Sequence, residues 1–410
     1  MLNEIIHTPW AQVLLPAIVA LLAVNWSYSK ILWIAKEKNL VDNPDARKLQ
    51  KEPVPVMGGI AVFFGLVSGV LVGCVLTDNM PLLPVVLAMV VLLYMGAIDD
   101  AMGLSQLGRV VAEVLVLLGM IFAADKCVDS LHGLWGIGAF SWWIAVPLTV
   151  FAGVGIVNAI NMIDGVNGLS SGLCMTCAGL FGGVFIARGD ISNGMLALTM
   201  CAGLIPFFLH NVFGQRSRMF IGDAGTMMMG ALMSWCIICL LSSDAGTTAG
   251  HLCYVALALA ILNVPVFDTL RVMTMRVLHG TSPFKADKTH LHHAFIAVGI
   301  SHSITALSEV LIDVVIVLVW LAAYKLGASQ EAQFYIVLAA SALLVWGTYG
   351  LLKQGEKDNA IGRALARFAP KTHLGHTKGW LRLQEWLDAP EDRMELKLQQ
   401  KNKFVNDKRK

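Results

Sequence analysis

The chain has 410 residues, of which 56% are hydrophobic and only 14% charged, with a net charge of +2 and a mean hydropathy of +0.67. A soluble domain is roughly a quarter charged and has no use for repeated apolar runs of about twenty residues, so this composition excludes one. It reads as a polytopic, all-α integral membrane protein embedded in a lipid bilayer, since the runs are too long for barrel strands and lack their alternation.

In chain order, apolar windows predict about eleven spans, near 12–35, 58–77, 81–98, 109–124, 140–158, 169–187, 194–212, 226–241, 250–270, 304–324 and 333–352. The start, "MLNEIIHTPWAQVLLPAIVALL", has Glu4 but no basic residue before its apolar stretch and no small-x-small cleavage site after it. It is expected to be an uncleaved first span rather than a signal peptide. With the N-terminus outside, the cytoplasmic loops and tail hold 26 of the 30 Lys and Arg. That asymmetry predicts an N-out, C-in orientation, which puts the polar clusters of the chain on the cytoplasmic face, where an active-site groove is expected. The expected organisation is a transmembrane unit over 1–352 and a charged, partly helical cytoplasmic tail over 353–410. Patches such as "GWLRLQEWLDAP" in that tail suit an inner membrane surface, and a solvated basic tail is the plainer alternative. Cys174-x-x-Cys177 and Cys236-x-x-Cys239 fall in apolar helix, where packing is the simplest role.

The unusual polar residues cluster at the predicted cytoplasmic ends of the spans. "VDNPDARKLQKEPVPVMGG" supplies Arg47, Lys48 and Lys51 before Gly58-Gly59. Such a loop contacts either anionic headgroups or a phosphate-bearing substrate. "YMGAIDDAMGLSQLGR" places Asp99 and Asp100 where the third span ends, with Arg109 ten residues after the first acid. The pair is either a solvated helix end or a charged site facing a cation. In "NAINMIDGVNGLSSG", Asn158, Asn161 and Asp164 are spaced to share one helix face, and Gly165, Asn167 and Gly168 form a turn. These oxygens and amides serve either as an interhelical clamp or as ligands of a hard cation and a nucleobase. "RMFIGDAGTMMMG" sets Asp223 before a span, as a cap or as a metal ligand. "SPFKADKTHLHHAF" gathers Lys288, His290, His292 and His293 without thiolates to complete a zinc set, a composition that suits pyrophosphate.

Carboxylates for a divalent ion, cations for phosphate and Gly-rich turns, all on one face of one bilayer, are the components of phosphoryl transfer. No G-x-x-x-x-G-K-[ST] is present, which removes a P-loop ATPase. No mid-span charges form the pattern of a proton relay or voltage sensor, which weighs against a secondary transporter.

Five ordered motifs between about residues 41 and 295 carry a resemblance: "VDNPDARKLQKEPVPVMGG", "DDAMGL", "NAINMIDGVNGL", "FIGDAG" and "FDTLRVMTMRVLHGTSPFKADKTHLHH". The chain resembles the bacterial polyprenyl-phosphate N-acetylhexosamine-1-phosphate transferases, in the same superfamily as the phospho-N-acetylmuramoyl-pentapeptide transferase of peptidoglycan synthesis. Its His290-Leu291-His292-His293 is similar to the branch that starts O-antigen, teichoic-acid and capsular chains, whereas the peptidoglycan enzyme usually carries three consecutive histidines. It departs from the family at Gly103, where a third acid is common, and at Gln50, where a histidine is common.

The resemblance implies transfer of a sugar 1-phosphate, with GlcNAc foremost, from a UDP-sugar to undecaprenyl phosphate in the bacterial inner membrane, releasing UMP. It implies Mg²⁺, with Mn²⁺ as a substitute, held by Asn161 and Asp223. Asp99 or Asp100 would act as base or orient the lipid phosphate, and Asp223 completes the implied catalytic set. Asn158 and Asn167 would face the nucleotide, and Lys288, His290, His292, His293 and Arg109 the phosphates. Arg47, Lys48 and Lys51 would steer the lipid headgroup. A homodimer is compatible with the family, and no nucleic-acid partner is expected.

Overall fold

The structure, a computed structural model, describes residues 8–42, 52–77, 82–243, 251–282 and 288–391. The described residues are mostly helical, and among them ten helices are long and apolar enough to cross a membrane, or eleven if one bent pair counts as a span.

The first helices are α1 (Pro9–Glu37), α2 (Gly58–Thr77), α3 (Leu83–Met102) and α4 (Gln106–Ala124). Next come α5 (Trp142–Met162), α6 (Leu169–Ala187), α7 (Ile191–Phe213) and α8 (Gly222–Leu241). Starts follow capping chemistry: Thr8, Ser105 and Asp190 accept hydrogen bonds from the first-turn amides of α1, α4 and α7.

Helix α8 forms the centre of the bundle and is buried along its whole length. It packs chiefly on α3 and α5 and also on α2. Glycines let these backbones approach closely. A methyl added at Gly96 would strike the main chain of Asp223 and Ala224, and one at Gly59 would strike Gly225. A two-stranded hairpin, β1 (Val41–Asp42) with β2 (Val54–Pro55), precedes α2. From there Gly58 and Gly59 donate to the carbonyls of Phe220 and Ile221 at 2.9 and 2.8 Å, fixing the entry of α2 against that of α8.

The predicted span over 250–270 is not one straight helix. Helices α9 (Tyr254–Ile261) and α10 (Asn263–Leu278) meet at an 80° bend. Leu262 leaves helical geometry between them, and Pro265 supplies no amide proton in the first turn of α10. The freed Val264 amide donates to the Asp313 carboxylate at 3.2 Å. A short α11 (Leu291–Ala297) follows, then α12 (His302–Lys325). The last span, Gln330–Gly355, comprises α13 (Gln330–Ser341) and α14 (Gly347–Gly355), joined by a wider π turn over Ala342–Trp346.

The described part of the expected tail is ordered. Helix α15 (Ala360–Phe368), two short 3₁₀ turns and a helical stretch over 378–391 fold back on the loops at the end of the bundle that carries the polar motifs. All eight cysteines are free thiols.

Candidate active site

The first-turn amides of α8 need partners, because a helix start leaves its leading N–H groups without intrahelical acceptors. Asp100, at the end of α3, supplies them: its carboxylate accepts from the amides of Asp223 and Ala224 at 3.0 and 3.2 Å. Asp223 itself therefore does not cap its helix and projects its side chain into the site. Asp99 accepts from the Leu104 amide at 2.7 Å as α3 ends at Gly103, which holds φ +73°.

Arg109, from the first turn of α4, joins three stretches. Its guanidinium donates to Asp99, to Asp223 Oδ2 at 2.8 Å and to Asn161 Oδ1 at 3.1 Å. Asn161, at the end of α5, also donates to Asp223 Oδ1 and to Thr226 Oγ1, both at 2.8 Å. Residues from 99 to 226 thus converge on one oxygen-rich centre around one cationic group. Among the described residues, no three His, Cys, Asp or Glu side chains are grouped to hold a metal by themselves.

The α5 helix ends at Met162, so Asp164 lies in the following turn rather than on a shared helical face with Asn158 and Asn161. It opens towards the cavity and is otherwise surrounded by protein. That enclosure, together with the nearby Asp223, pushes its carboxyl up to about 7 against the hydrogen bond from the Ser170 hydroxyl at 2.5 Å. Gly168 closes the turn at φ +80° and donates its amide to Asn211 Oδ1 at 2.6 Å.

A cavity of about 1540 Å³ opens over this centre. Asp99, Asp100, Asp164, Asn167, Asp223, His292 and His293 line it. His292 is buried, lies against Gly165 and has neither ring nitrogen bonded. Burial, with imidazoles on both sides, holds its pKa well below the usual histidine value, so the ring is neutral at pH 7.

The other expected site residues are placed differently. His290 sits behind His292, its ring stacked at 5.7 Å, and its Nδ1 lies 2.8 Å from Asp268 Oδ2. Asn158 faces away from the centre and donates to Glu113 at 2.5 Å. Lys288 lines a separate small cavity with His293 and Lys353. Arg47, Lys48 and Lys51 lie outside the described residues.

Several buried polar residues behind the cavity lining were not singled out from the sequence. Asp268 anchors His290 and the Leu291 amide and is itself held by Arg271, which also reaches the Thr289 carbonyl and lies 3.6 Å over the Tyr349 ring. The "FDTLR" string within the quoted motif carried that signal. Glu113, Glu309 and Asp313 are fully buried acids within candidate spans, each of them visible in the sequence as a carboxylate inside an apolar run.

The geometry can be set beside known proteins. Residues 82–241, from the start of α3 to the end of α8, match the model of glycosyl transferase family 4. A probable undecaprenyl-phosphate N-acetylglucosaminyl 1-phosphate transferase of Bacillus subtilis (strain 168) is 31% identical over 303 residues, covering 72% of this chain and 80% of the relative. An undecaprenyl-phosphate alpha-N-acetylglucosaminyl 1-phosphate transferase of Yersinia pestis is 31% identical over 274 residues, covering 65% of this chain and 72% of the relative. The protein of that name from Escherichia coli (strain K12) is 30% identical over 278 residues, covering 65% and 71%. The matched span holds Asp99, Asp100, Arg109, Asn161 and Asp223, and identity at this level over most of each relative places the chain in glycosyl transferase family 4.

Proposed function

We propose that the protein transfers N-acetylglucosamine 1-phosphate from UDP-N-acetylglucosamine to undecaprenyl phosphate, releasing UMP. It would act as a multi-pass protein of the bacterial cytoplasmic membrane, with its N-terminus outside and its cavity facing the cytoplasm. The observation that supports this reading most is the convergence of Asp99, Asn161 and Asp223 on Arg109, with Asp99 and Asp223 also lining a large cavity. The names borne by the relatives favour N-acetylglucosamine over a peptidoglycan precursor.

Both reactants are anions, so their approach in a partly desolvated cavity needs compensating positive charge. Arg109 supplies one such charge. The oxygen-only set of Asn161 Oδ1 and Asp223 Oδ2, already satisfied by a cation, suits Mg²⁺, which these two residues would hold. The bound ion would neutralise charge on the pyrophosphate. An oxygen of the lipid phosphate then bonds to the phosphorus that carries the sugar, and the bond from that phosphorus to the bridging oxygen breaks as UMP leaves. A phosphate monoester loses its second proton near pH 6, so the attacking lipid needs little help from a base. Asp99 and Asp100 fit orienting roles accordingly, Asp99 holding Arg109 and Asp100 holding the start of α8. Asn167 and the unbonded nitrogens of His292 remain to meet the donor from the cavity wall.

A donor panel with purified protein and undecaprenyl phosphate, read by lipid-product mass and by UMP, tests the assignment. UDP-N-acetylglucosamine is expected to give the corresponding lipid pyrophosphate and an equal amount of UMP. Turnover of UDP-N-acetylmuramoyl-pentapeptide alone would overturn the sugar assignment. Solute flux across sealed vesicles without a covalent product would overturn the activity.

A further inference from the structure

The C-terminal segment lies outside residues 82–241, yet it forms part of the cavity. His373, His376 and Trp380 line the cavity together with Arg216, Arg218 and Lys36, and so do the carboxylates Asp99, Asp100, Asp164 and Asp223. The segment is fastened at both ends. At its start, Thr372 accepts the Ser301 amide at 3.0 Å and the Ser301 hydroxyl at 2.7 Å, and His373 Nε2 lies 3.2 Å from the Gly299 carbonyl. These bonds grip the loop that follows α11, the helix of His292 and His293. At its other end, Asp388 accepts from three successive amides, those of Gln215, Arg216 and Ser217, at 3.0–3.3 Å, and from the Ser217 hydroxyl at 2.6 Å. Glu391 pairs with Lys36 at 3.1 Å, and Lys36 donates to the Arg216 carbonyl at 2.9 Å. Trp380 packs on Phe213, at 4.6 Å between ring centroids.

One carboxylate taking four donors from a single turn fixes the path of that turn, because each donor removes a direction in which it can relax. The turn is 214–218, and it carries Arg216 and Arg218 into the cavity. Left unlatched, two guanidinium groups on a surface loop would sample many orientations, and ordering them on binding would cost affinity. Their chemistry, with imidazoles and an indole beside them, recognises a phosphate group carried on a larger substrate.

We propose that residues 369–391 complete a second cationic subsite within the cavity, which binds a phosphate group of one of the two substrates, with Asp388 as the positioning residue for Arg218. This deepens the transferase reading and rests on it. Both substrates carry phosphate, so the experiment must separate them.

The test uses the full-length chain, with UDP-N-acetylglucosamine and undecaprenyl phosphate each varied in turn. Binding of each is measured alongside turnover, so the subsite is read even in a protein that does not turn over. Asp388→Ala is expected to raise KM and weaken binding for one substrate about tenfold, with kcat within about twofold. Asp388→Glu restores most of the loss, and Arg218→Gln reproduces it without touching the latch. A change confined to the donor assigns the subsite to the nucleotide sugar, and one confined to the acceptor assigns it to the lipid phosphate. Unchanged KM and binding for both substrates in Asp388→Ala and Arg218→Gln would overturn the proposal, as would a fall in kcat alone. A wild-type chain that forms no lipid-linked sugar would instead count against the transferase reading, and the binding arm would still decide the subsite.

Discussion

Arg109 sums up the chemistry of the centre in one side chain. A planar guanidinium presents several donors in a fixed fork, and here the fork spans Asp99, Asp223 and Asn161. Lysine keeps the charge but is a point donor on a flexible stem. Arg109→Lys is therefore expected to lower kcat about 10- to 100-fold while the protein still folds, as measured by steady-state turnover of the purified variant. Near-normal turnover would show that the fork is dispensable. His292 gives a second prediction. Its folded pKa is held below its unfolded value near 6.5, so the unfolded chain takes up the proton first as pH falls. Above pH 6.5 the residue is neutral in both states and contributes no pH dependence. Below it, the unfolded chain binds the extra proton, and the stability falls as the pH drops. Thermal melts in detergent at pH 7.5 and 5 should show wild type losing more than His292→Gln.

Among the elements, α8 is the one on which the rest depends, and glycine contacts set how closely its neighbours lie. Gly96 on α3 touches the main chain at Asp223, so a methyl there pushes the backbone that holds a central carboxylate. Gly96→Ala is expected to cost about 1–3 kcal/mol of stability and to lower activity more than tenfold, by melting temperature and turnover. Full activity would mean that α3 and α8 need not meet so closely. The same scale shows where sequence reading stops. Asn161 and Asp223 were legible because amides and acids beside glycines are conspicuous among apolar runs. Asp164 was legible as a residue but not in its place, since nothing local announced that α5 ends at Met162. The bend at Leu262 was hidden because α9 and α10 are both apolar enough to read as one span. Its stabilising partner, Asp313, lies on α12, 49 residues beyond Val264, and no local pattern could pair them. Asp388 was obscured in the same way, as one acid in a tail whose composition reads as solvated.

At the scale of the whole molecule, the helical membrane class follows from composition alone, while the site depends on which loops meet. Among the described residues, ten apolar helices plus one bent pair make eleven crossings when each is a span, and an odd number puts the start of α1 and the stretch after α14 on opposite sides. Leu326, after α12, is exposed, as is Trp386 in the C-terminal helix. Cysteines placed at these two positions should be labelled by a membrane-impermeant reagent from opposite faces of the membrane, with 386 on the cytoplasmic side. Labelling of both from one face would overturn the proposed orientation.

The central claim is that Asn161 and Asp223, 62 residues apart in the chain, act as a single unit in catalysis. A double-mutant cycle on turnover tests this most directly, with Asn161→Ala, Asp223→Ala and the pair compared in purified, folded protein. The account predicts that each single change lowers turnover by roughly a thousandfold and that the pair costs little more than either alone, as for residues that work as one. Independent effects that multiply, or near-normal turnover in either single variant, would contradict it.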